Sequence, residues 1–480
     1  MTVTYEPVIG LEVHAQLKTK TKIFCNCPTE FGAGPNEHVC PVCLGMPGVL
    51  PVLNKRAVEF AIKCGVALNC TVADFTKFDR KNYFYPDLAK DYQISQYQQP
   101  ICSHGHLIID NKKVRILRAH LEEDAGKLVH AGAAGLHGSD YSLVDYNRSG
   151  VPLLEIVSEP DIVSAEQAQN YLTELRMILR HIGACDGNLE EGSFRCDANV
   201  SVRPVGQSEL GTKTEIKNMN SFNAVKRAIE YEIKRQIDKL NKGERIVQET
   251  LLWNEATQST HSMRSKEDAH DYRYFPEPDL VPLVIDRKWV DDVASSLPEL
   301  PEAKRNRYQS EHGLSFDDAY VLAENKEMAD FYDQVLAEGA AAKPAANLLI
   351  GPTIAYLKEK QLEFGQAKLT APSLKDLVEA LNAGKLNSTT GKQVLLELLQ
   401  SGGSVGQIIE SKGLAQVSDE KELEQIIARV IADNPSQLAE FRGGKVKVRQ
   451  FFFGEAMKVL KGKGNPQIIN KILDEKLTES

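Results

Sequence analysis

The chain lacks any apolar run approaching the roughly 20 residues that a membrane-crossing helix needs, and its start carries no secretion-leader pattern. It also lacks the G-x-x-x-x-G-K-[ST] phosphate loop and the G-x-G-x-x-G turn. If a nucleotide is used, its phosphates need a different cradle. There is no fixed-period repeat and no low-complexity tract, which excludes solenoids and disordered linker proteins. Surplus positive charge is absent as well: the net charge is −9 at pH 7. Any nucleic-acid contact therefore needs a local basic patch. Nine cysteines, an odd number in 480 residues, do not read as a disulfide framework. They point to a reducing, cytoplasmic setting with no membrane. With 42% hydrophobic and 26% charged residues the composition is that of a globular protein, and the length suggests roughly three domains.

Residues 1 to about 290 alternate like short strands, interrupted by two amphipathic helices. The first helix opens at Ser164, with Gln167 three residues on as a capping box. Its apolar stripe is Ala168, Tyr171, Leu172, Leu175, Ile178, Leu179 and Ile182, and Gly183 suits its end. The second runs from Ser221 to Gly243, with Val225, Ala228, Ile229, Ile233, Ile237 and Leu240 expected inside. Two prolines in Ser295-Ser-Leu-Pro-Glu-Leu-Pro301 mark a domain entry. Beyond it the pattern is helical, with breaks expected at Lys343-Pro344, Gly351-Pro352 and Gly384, and a flexible joint at Ser401-Gly-Gly-Ser404.

Three groups of residues carry chemistry. The first is a set of polar strand faces. In Val8–Leu17, Leu11, Val13, Ala15 and Leu17 point one way while Glu12, His14 and Gln16 point the other. Phe194–Arg203 alternates likewise, with Arg195, Asp197, Asn199, Ser201 and Arg203 on the polar side. Lys213, Glu215 and Lys217 share a face, Glu155 sits in an apolar run, and Val114–Asp124 ends in three acids. If these faces converge, the carboxylates and imidazole suit a hard cation such as Mg²⁺, with basic neighbours for phosphate. If they diverge, each is only solvated. The second group is Cys25-Asn-Cys27 with Cys40-Pro-Val-Cys43, two short pairs spaced for a four-thiolate zinc site. The alternative is four reduced cysteines. The third is the tail. From 435 to 480, nine Lys/Arg face five Asp/Glu. Lys445, Lys447, Arg449, Lys458, Lys461 and Lys463 surround Phe451-Phe-Phe453, either as a phosphate-backbone contact or as an ordinary basic helix face.

These residues carry a resemblance. Glu6–Leu17, the CxC…CPVCLGMPGVLPVLN block, Asp79–Leu88, His120–Lys127, Phe194–Val200 and Asp271–Asp279 closely resemble GatB, the family of B subunits of bacterial aspartyl/glutamyl-tRNA amidotransferases. The likeness spans the chain and is most specific in the first 290 residues. His261 and Asn223 stand where the family pattern leads one to expect arginine. With the strand pattern, the resemblance implies an α+β fold in three parts: a largely antiparallel-sheet catalytic cradle (1–293), a helical domain (294–405) and a small helical tail domain that binds tRNA (406–480).

It also implies a ligase reaction. ATP and Mg²⁺ phosphorylate the side-chain carboxylate of Glu or Asp carried on tRNA, and ammonia displaces the phosphate to give Gln- or Asn-tRNA. The ammonia comes from glutamine at a separate amidase subunit (GatA), tied in by a small subunit (GatC) in a heterotrimer. By the same resemblance His14, Glu123 and Glu155 are the Mg²⁺ ligands. Glu12, Glu122, Asp197 and Glu215 form the rest of the acidic site, Arg80 and Lys81 meet phosphate, and Cys25, Cys27, Cys40 and Cys43 hold structural Zn²⁺. Lys445, Lys447, Arg449 and Lys458 contact the tRNA body.

Overall fold

The computed structural model describes residues 3–131, 141–265, 272–414, 420–460, 462 and 464–478. The chain forms two units, 1–300 and 301–480. The first is built on a sheet of twelve strands. In chain order these are β1 (Tyr5–Gln16), β2 (Thr71–Val72), β3 (Asp79–Asn82), β4 (Tyr92–Ser95), β5 (Cys102–Ile109) and β6 (Lys112–Glu123). They continue with β7 (Pro152–Ser158), β8 (Phe194–Pro204), β9 (Thr214–Lys217), β10 (Glu249–Asn254), β11 (Ser259–Ser265) and β12 (Phe275–Pro276). The order is β11-β10-β9-β8-β1-β7-β6-β4-β3-β12, with β5 pairing the first part of β6 and β2 pairing β5. Among the described residues every pairing in this sheet is antiparallel except β9 with β10. The fold is α+β, as expected.

The opening strand lies near the middle of the sheet, between β8 and β7. Its period-two pattern divides the first unit. Leu11, Val13 and Ala15 enter the main apolar core, together with residues of helices α1 (Lys55–Ala67), α2 (Ala165–His181) and α3 (Phe222–Asn241). Glu12, His14 and Gln16 are left on the half-open opposite face.

Local chemistry explains the helix ends. Ser164 accepts from the backbone N–H of Gln167, whose side-chain oxygen in turn accepts from the N–H of Val163. All seven expected apolar positions of α2 are buried, and Gly183 follows with φ of 71°. The α3 stripe is more polar than expected. Val225, Ala228 and Ile229 are buried, but Ile233, Ile237 and Leu240 are only half-buried. The deep positions go to Glu232 and Gln236. Glu232 is satisfied there by Thr214, Arg235 and Gln236, at 2.8 Å each. Such bonds are what make a buried carboxylate tolerable.

The second unit is helical. One apolar cluster spans residues from Tyr308 to Leu414 and another from Leu423 to Leu477. Of the expected breaks, Pro344 falls in the first turn of Ala342–Leu348, where its missing N–H costs nothing. Pro352 lies in a π-helical turn, Leu349–Thr353, that leads directly into Ile354–Lys360. Neither proline stops the helical path as the sequence suggests. Gly384 and Gly402 do terminate helices, with φ of 66° and 70°. The first apolar cluster nevertheless continues past Gly402 through Val405 and Ile408.

Candidate active site

The polar faces of β1, β6, β7, β8 and β9 converge. Register brings this about: His14 pairs with Glu155, Glu155 with His120, Glu12 with Asp197, and Asn199 with Glu215. Opposed residues in antiparallel strands share a face. At the centre, His14 Nε2 lies 3.7 Å from Glu12 Oε1, 3.6 Å from Glu122 Oε1 and 3.5 Å from Glu155 Oε2. His120 Nε2 lies 3.4 Å from Glu155 Oε2 and 3.9 Å from Glu122 Oε2. Beside this cluster, Lys217 Nζ holds Asp197 at 2.6 Å and Glu215 at 3.1 Å. Arg118 approaches Glu155 at 3.7 Å.

Burial and charge separate the roles of these groups. Burial opposes the charge on His14, but Glu155, Glu122 and Glu12 outweigh it and push its pKa up to about 9. Burial, against the pull of Glu155 and abetted by the positive charges of Arg118, His14 and Lys81, brings His120 down to about 4. Burial and the charge of Glu155 raise Glu122 to about 7. Burial works against ionised Glu155 too, yet the two histidines and Lys81 hold it well below the usual carboxylate range.

Two overlapping triads have donor atoms within 4.8 Å of one another: Glu12, His14 and Glu155, and His120, Glu122 and Glu155. Neighbouring oxygens around octahedral Mg²⁺, at about 2.1 Å from the ion, sit roughly 3 Å apart, and opposite ones roughly 4 Å apart. The spacing and the carboxylate-rich donor set both fit a divalent cation that keeps several waters. Nδ1 of His120 is buried with no hydrogen-bond partner among the described residues, as are Nε of Arg118 and Nε of Arg195. The face is polar and under-satisfied by the chain's own groups.

Of the expected Mg²⁺ set, the structure brings His14 and Glu155 together here and places Glu123 on the other side of β6. Side chains alternate along β6, so Glu123 faces the opposite way from His120 and Glu122. Its carboxylate accepts from Lys90 Nζ and from the N–H of Ile94, at 2.9 Å for the latter. Glu122 occupies the position beside His14 instead. His120 is not among the residues expected from the sequence. The pattern that could flag it is His120-x-Glu122, the same two-residue spacing as Glu12-x-His14.

The expected phosphate pair also divides. Arg80 is committed to protein carboxylates, with bonds of 2.7 and 2.9 Å to buried Glu277 and 3.2 Å to Asp279, over the ring of Tyr92. Lys81, next in β3, faces the other way. Its ammonium lies 4.9 Å from the ring centre of Tyr272, close enough that its charge is felt at Glu122, Glu155 and His120. Lys213 precedes β9 and is exposed, leaving Lys217 as the inward lysine of that strand.

Cys25, Cys27, Cys40 and Cys43 gather with their sulfurs within 4.8 Å of one another. Cys43 Sγ lies 4.0 Å from Cys27 Sγ and 3.9 Å from Cys40 Sγ. A tetrahedron with Zn–S of about 2.3 Å has edges of roughly 3.8 Å. The four thiols fit a structural metal with no open position.

In the tail, Lys445 pairs with Glu440 at 3.3 Å, Arg449 with Asp474 at 2.5 Å and Lys458 with Glu455 at 3.4 Å. Lys447 is exposed, with no such pair among the described residues. Of the three phenylalanines, Phe452 is core, Phe453 is half-buried and Phe451 is exposed. Lys461, Lys463 and Asp271 lie outside the described residues. Asn223 accepts from Gln169 at 2.7 Å, and His261 faces Ser259 and Thr257 at 3.3 and 3.4 Å.

Comparison with known proteins decides the family. Residues 7–291 match the GatB/GatE catalytic domain, and residues 330–477 match the GatB domain. This chain belongs to the GatB family. Among its relatives, the B subunit of the aspartyl/glutamyl-tRNA(Asn/Gln) amidotransferase of Geobacter sulfurreducens is 56% identical, over 98% of this chain and 99% of that one. The proteins of the same name from Carboxydothermus hydrogenoformans and Thermosynechococcus vestitus are each 52% identical, over 99% of this chain and 99% and 97% of theirs. The converging acidic face of β1, β6, β7, β8 and β9 thus lies within the segment that matches the GatB/GatE catalytic domain.

Proposed function

We propose that the acidic face is where a Glu or Asp side chain esterified to tRNA is activated and amidated. The observation that carries this is the His14–Glu155–Glu122 cluster, an anionic, partly buried site with an imidazole at its centre. As a GatB-family member the chain is a subunit of a glutamine-dependent tRNA amidotransferase, a ligase.

A carboxylate is a poor acyl donor because its leaving group would be oxide. Transfer of the γ-phosphoryl group of ATP to that carboxylate supplies a phosphate leaving group and releases ADP. Ammonia then attacks the acyl carbon, phosphate departs, and one proton from nitrogen must be taken up. A divalent cation, when bound, offsets the negative charge that nucleotide and substrate bring together. Glu12, His14 and Glu155 are its proposed holders, with Glu122 beside them. Lys81, which unlike Arg80 is not bonded to a carboxylate among the described residues, is the cation proposed to meet phosphate. Glu122 titrates near neutrality and is suited to take the proton from the nitrogen. Asp197, Lys217 and Glu215 form an alternating acid–base ladder, suited to guiding ammonium towards the cluster and stripping its proton.

The four cysteines hold a structural Zn²⁺. The partners are an amidase subunit that releases ammonia, a small subunit completing a heterotrimer, and aminoacyl-tRNA met by the basic tail. The reaction is cytoplasmic. The test is amide formation by the assembled complex on Glu-tRNA and Asp-tRNA, with and without ATP. Amide formed equally well without ATP would end the proposal.

A further inference from the structure

Lys22 has no exposed surface at all. A lysine in that position must meet an anion or a set of good acceptors, because an unpaired buried ammonium is strongly destabilising. Among the described residues its Nζ has two partners. One is the carbonyl of Tyr146 at 3.2 Å, and the other is the sulfur of Cys43 at 3.5 Å. Among the described residues no carboxylate lies within ion-pair distance of it. The carboxylate across the adjoining cavity, Glu123, is already bonded to Lys90 and to the backbone of Ile94. That cavity holds about 40 Å³ and is lined by Lys22, Cys25, Cys43, Lys90, Glu123 and Gly150 among others. It is no larger than a water or two.

A neutral thiol is a weak acceptor and gives a buried cation little. A centre of four thiolates around one divalent ion carries a net charge of −2, and a buried ammonium against one of its sulfurs offsets half of it. We infer that Lys22 is the built-in counter-cation of the four-cysteine metal centre. It donates a hydrogen bond to the Cys43 sulfur and positions that sulfur as a thiolate ligand. The inference rests on the metal reading of the four cysteines and goes beyond it by assigning a partner outside the ligand set. Such outer partners tune metal affinity by about 10–100-fold in other sites.

The position of Lys22 also ties the metal loop to the acidic face. The Lys22 N–H bonds the Cys27 carbonyl at 2.9 Å, drawing the first cysteine turn back on itself. Next along the chain, the Ile23 N–H bonds the Gly150 carbonyl at 2.8 Å, and the Gly150 N–H bonds the Asp124 carbonyl at 2.9 Å. Asp124 follows directly after Glu122 and Glu123, and its carboxylate holds Gln16 at 2.7 Å and Arg195 at 2.9 Å. Lys22 is therefore a positioning residue. It acts on the metal through Cys43, and on the catalytic sheet through the loop that the metal fixes.

The experiment compares the full chain with Lys22→Met and Lys22→Gln. Zinc content and affinity are measured by chelator competition, and Co²⁺ is substituted to read the thiolate-to-metal charge-transfer band. The expected result is one bound metal in the parent and about 10–100-fold weaker binding in both variants. The cobalt band should move to lower energy as the sulfur loses its hydrogen bond, with four-thiolate coordination retained. Affinity within twofold of the parent and an unmoved band would overturn the role of Lys22 while leaving the metal centre intact. A parent chain that binds neither metal would overturn the metal reading, and this inference with it. If both variants fail to fold, lysine methylation of the parent chain is followed by mass spectrometry. Lys22 should be protected with zinc bound and become reactive after chelation; equal reactivity in the two states refutes the inference.

Discussion

Glu122 and Glu123 are adjacent in sequence and serve opposite faces of one strand. Oε1 of Glu122 lies 3.6 Å from His14 Nε2, whereas Oε1 of Glu123 accepts from Lys90 and from the N–H of Ile94. One carboxylate belongs to the acidic site and the other to the packing behind it.

The two glutamates should therefore separate on substitution. Glu122→Gln is expected to lower amide formation by about 10²-fold or more with little change in stability. Glu123→Gln leaves half-buried Lys90 without its charge partner and should cost about 3 kcal/mol. Activity per folded molecule should change far less. Thermal unfolding beside single-turnover amidation checks both. A Glu123→Gln protein that is stable but inactive would return Glu123 to the chemistry.

Arg80 and Lys81 form a second such pair. Arg80 is bonded through two nitrogens to buried Glu277, so Arg80→Met should destabilise the first unit by about 3–5 kcal/mol, the cost of breaking a buried ion pair. Lys81→Met should leave stability within about 0.5 kcal/mol and raise the KM for ATP or lower kcat. Denaturant titration and ATP-dependence kinetics test this. A reversed outcome, with Lys81 structural and Arg80 kinetic, would contradict the assignment.

The site also predicts a pH dependence. The pKa of His14 is raised from its usual 6.5 to about 9. Its contribution to the stability of metal-free protein is fully present below about 6.5 and is lost as pH rises through about 9. A divalent ion competes with that proton, so metal binding should tighten over the same window and release a proton. Unfolding of chelator-treated protein and of His14→Gln between pH 6 and 9.5 provides the check. Identical pH profiles for the two would refute the raised pKa.

In the tail, Lys447 should contribute more to tRNA binding than Arg449. Lys447→Ala is expected to reduce the slope of log affinity against log salt by about one contact. Arg449 is engaged with Asp474, so Arg449→Ala should act mainly through loss of that ion pair. Salt-dependent tRNA binding distinguishes them, and equal slopes for parent and Lys447→Ala would remove the residue from the interface.

Much of this is legible in the residues because a strand's period is two. Glu12, His14, Glu155, Asp197 and Glu215 can be read as polar faces, and capping residues such as Ser164 and Ser221 mark helix starts. Convergence of those faces is not legible, since it depends on registers such as His14 opposite Glu155, which are set by strands far apart in sequence. Which of the adjacent acids Glu122 and Glu123 faces His14 is not apparent until the alternation from His120 is followed through the strand. Lys22 and Glu232 give no signal: a charged residue is ordinarily read as exposed, and only the packed fold reveals the partners that make its burial possible. Arg80 illustrates the converse, as its partners Glu277 and Asp279 lie almost two hundred residues away.

The central claim is that the face around His14 and Glu155 activates the tRNA-borne carboxylate. The most direct measurement is single-turnover amide formation by the complete complex carrying Glu155→Gln, supplied with ATP and with ammonium in place of glutamine. The account predicts loss of amide and of substrate-dependent ADP formation by about 10²-fold or more, with tRNA binding and glutamine hydrolysis intact. Amide formation within a few-fold of the parent would contradict it.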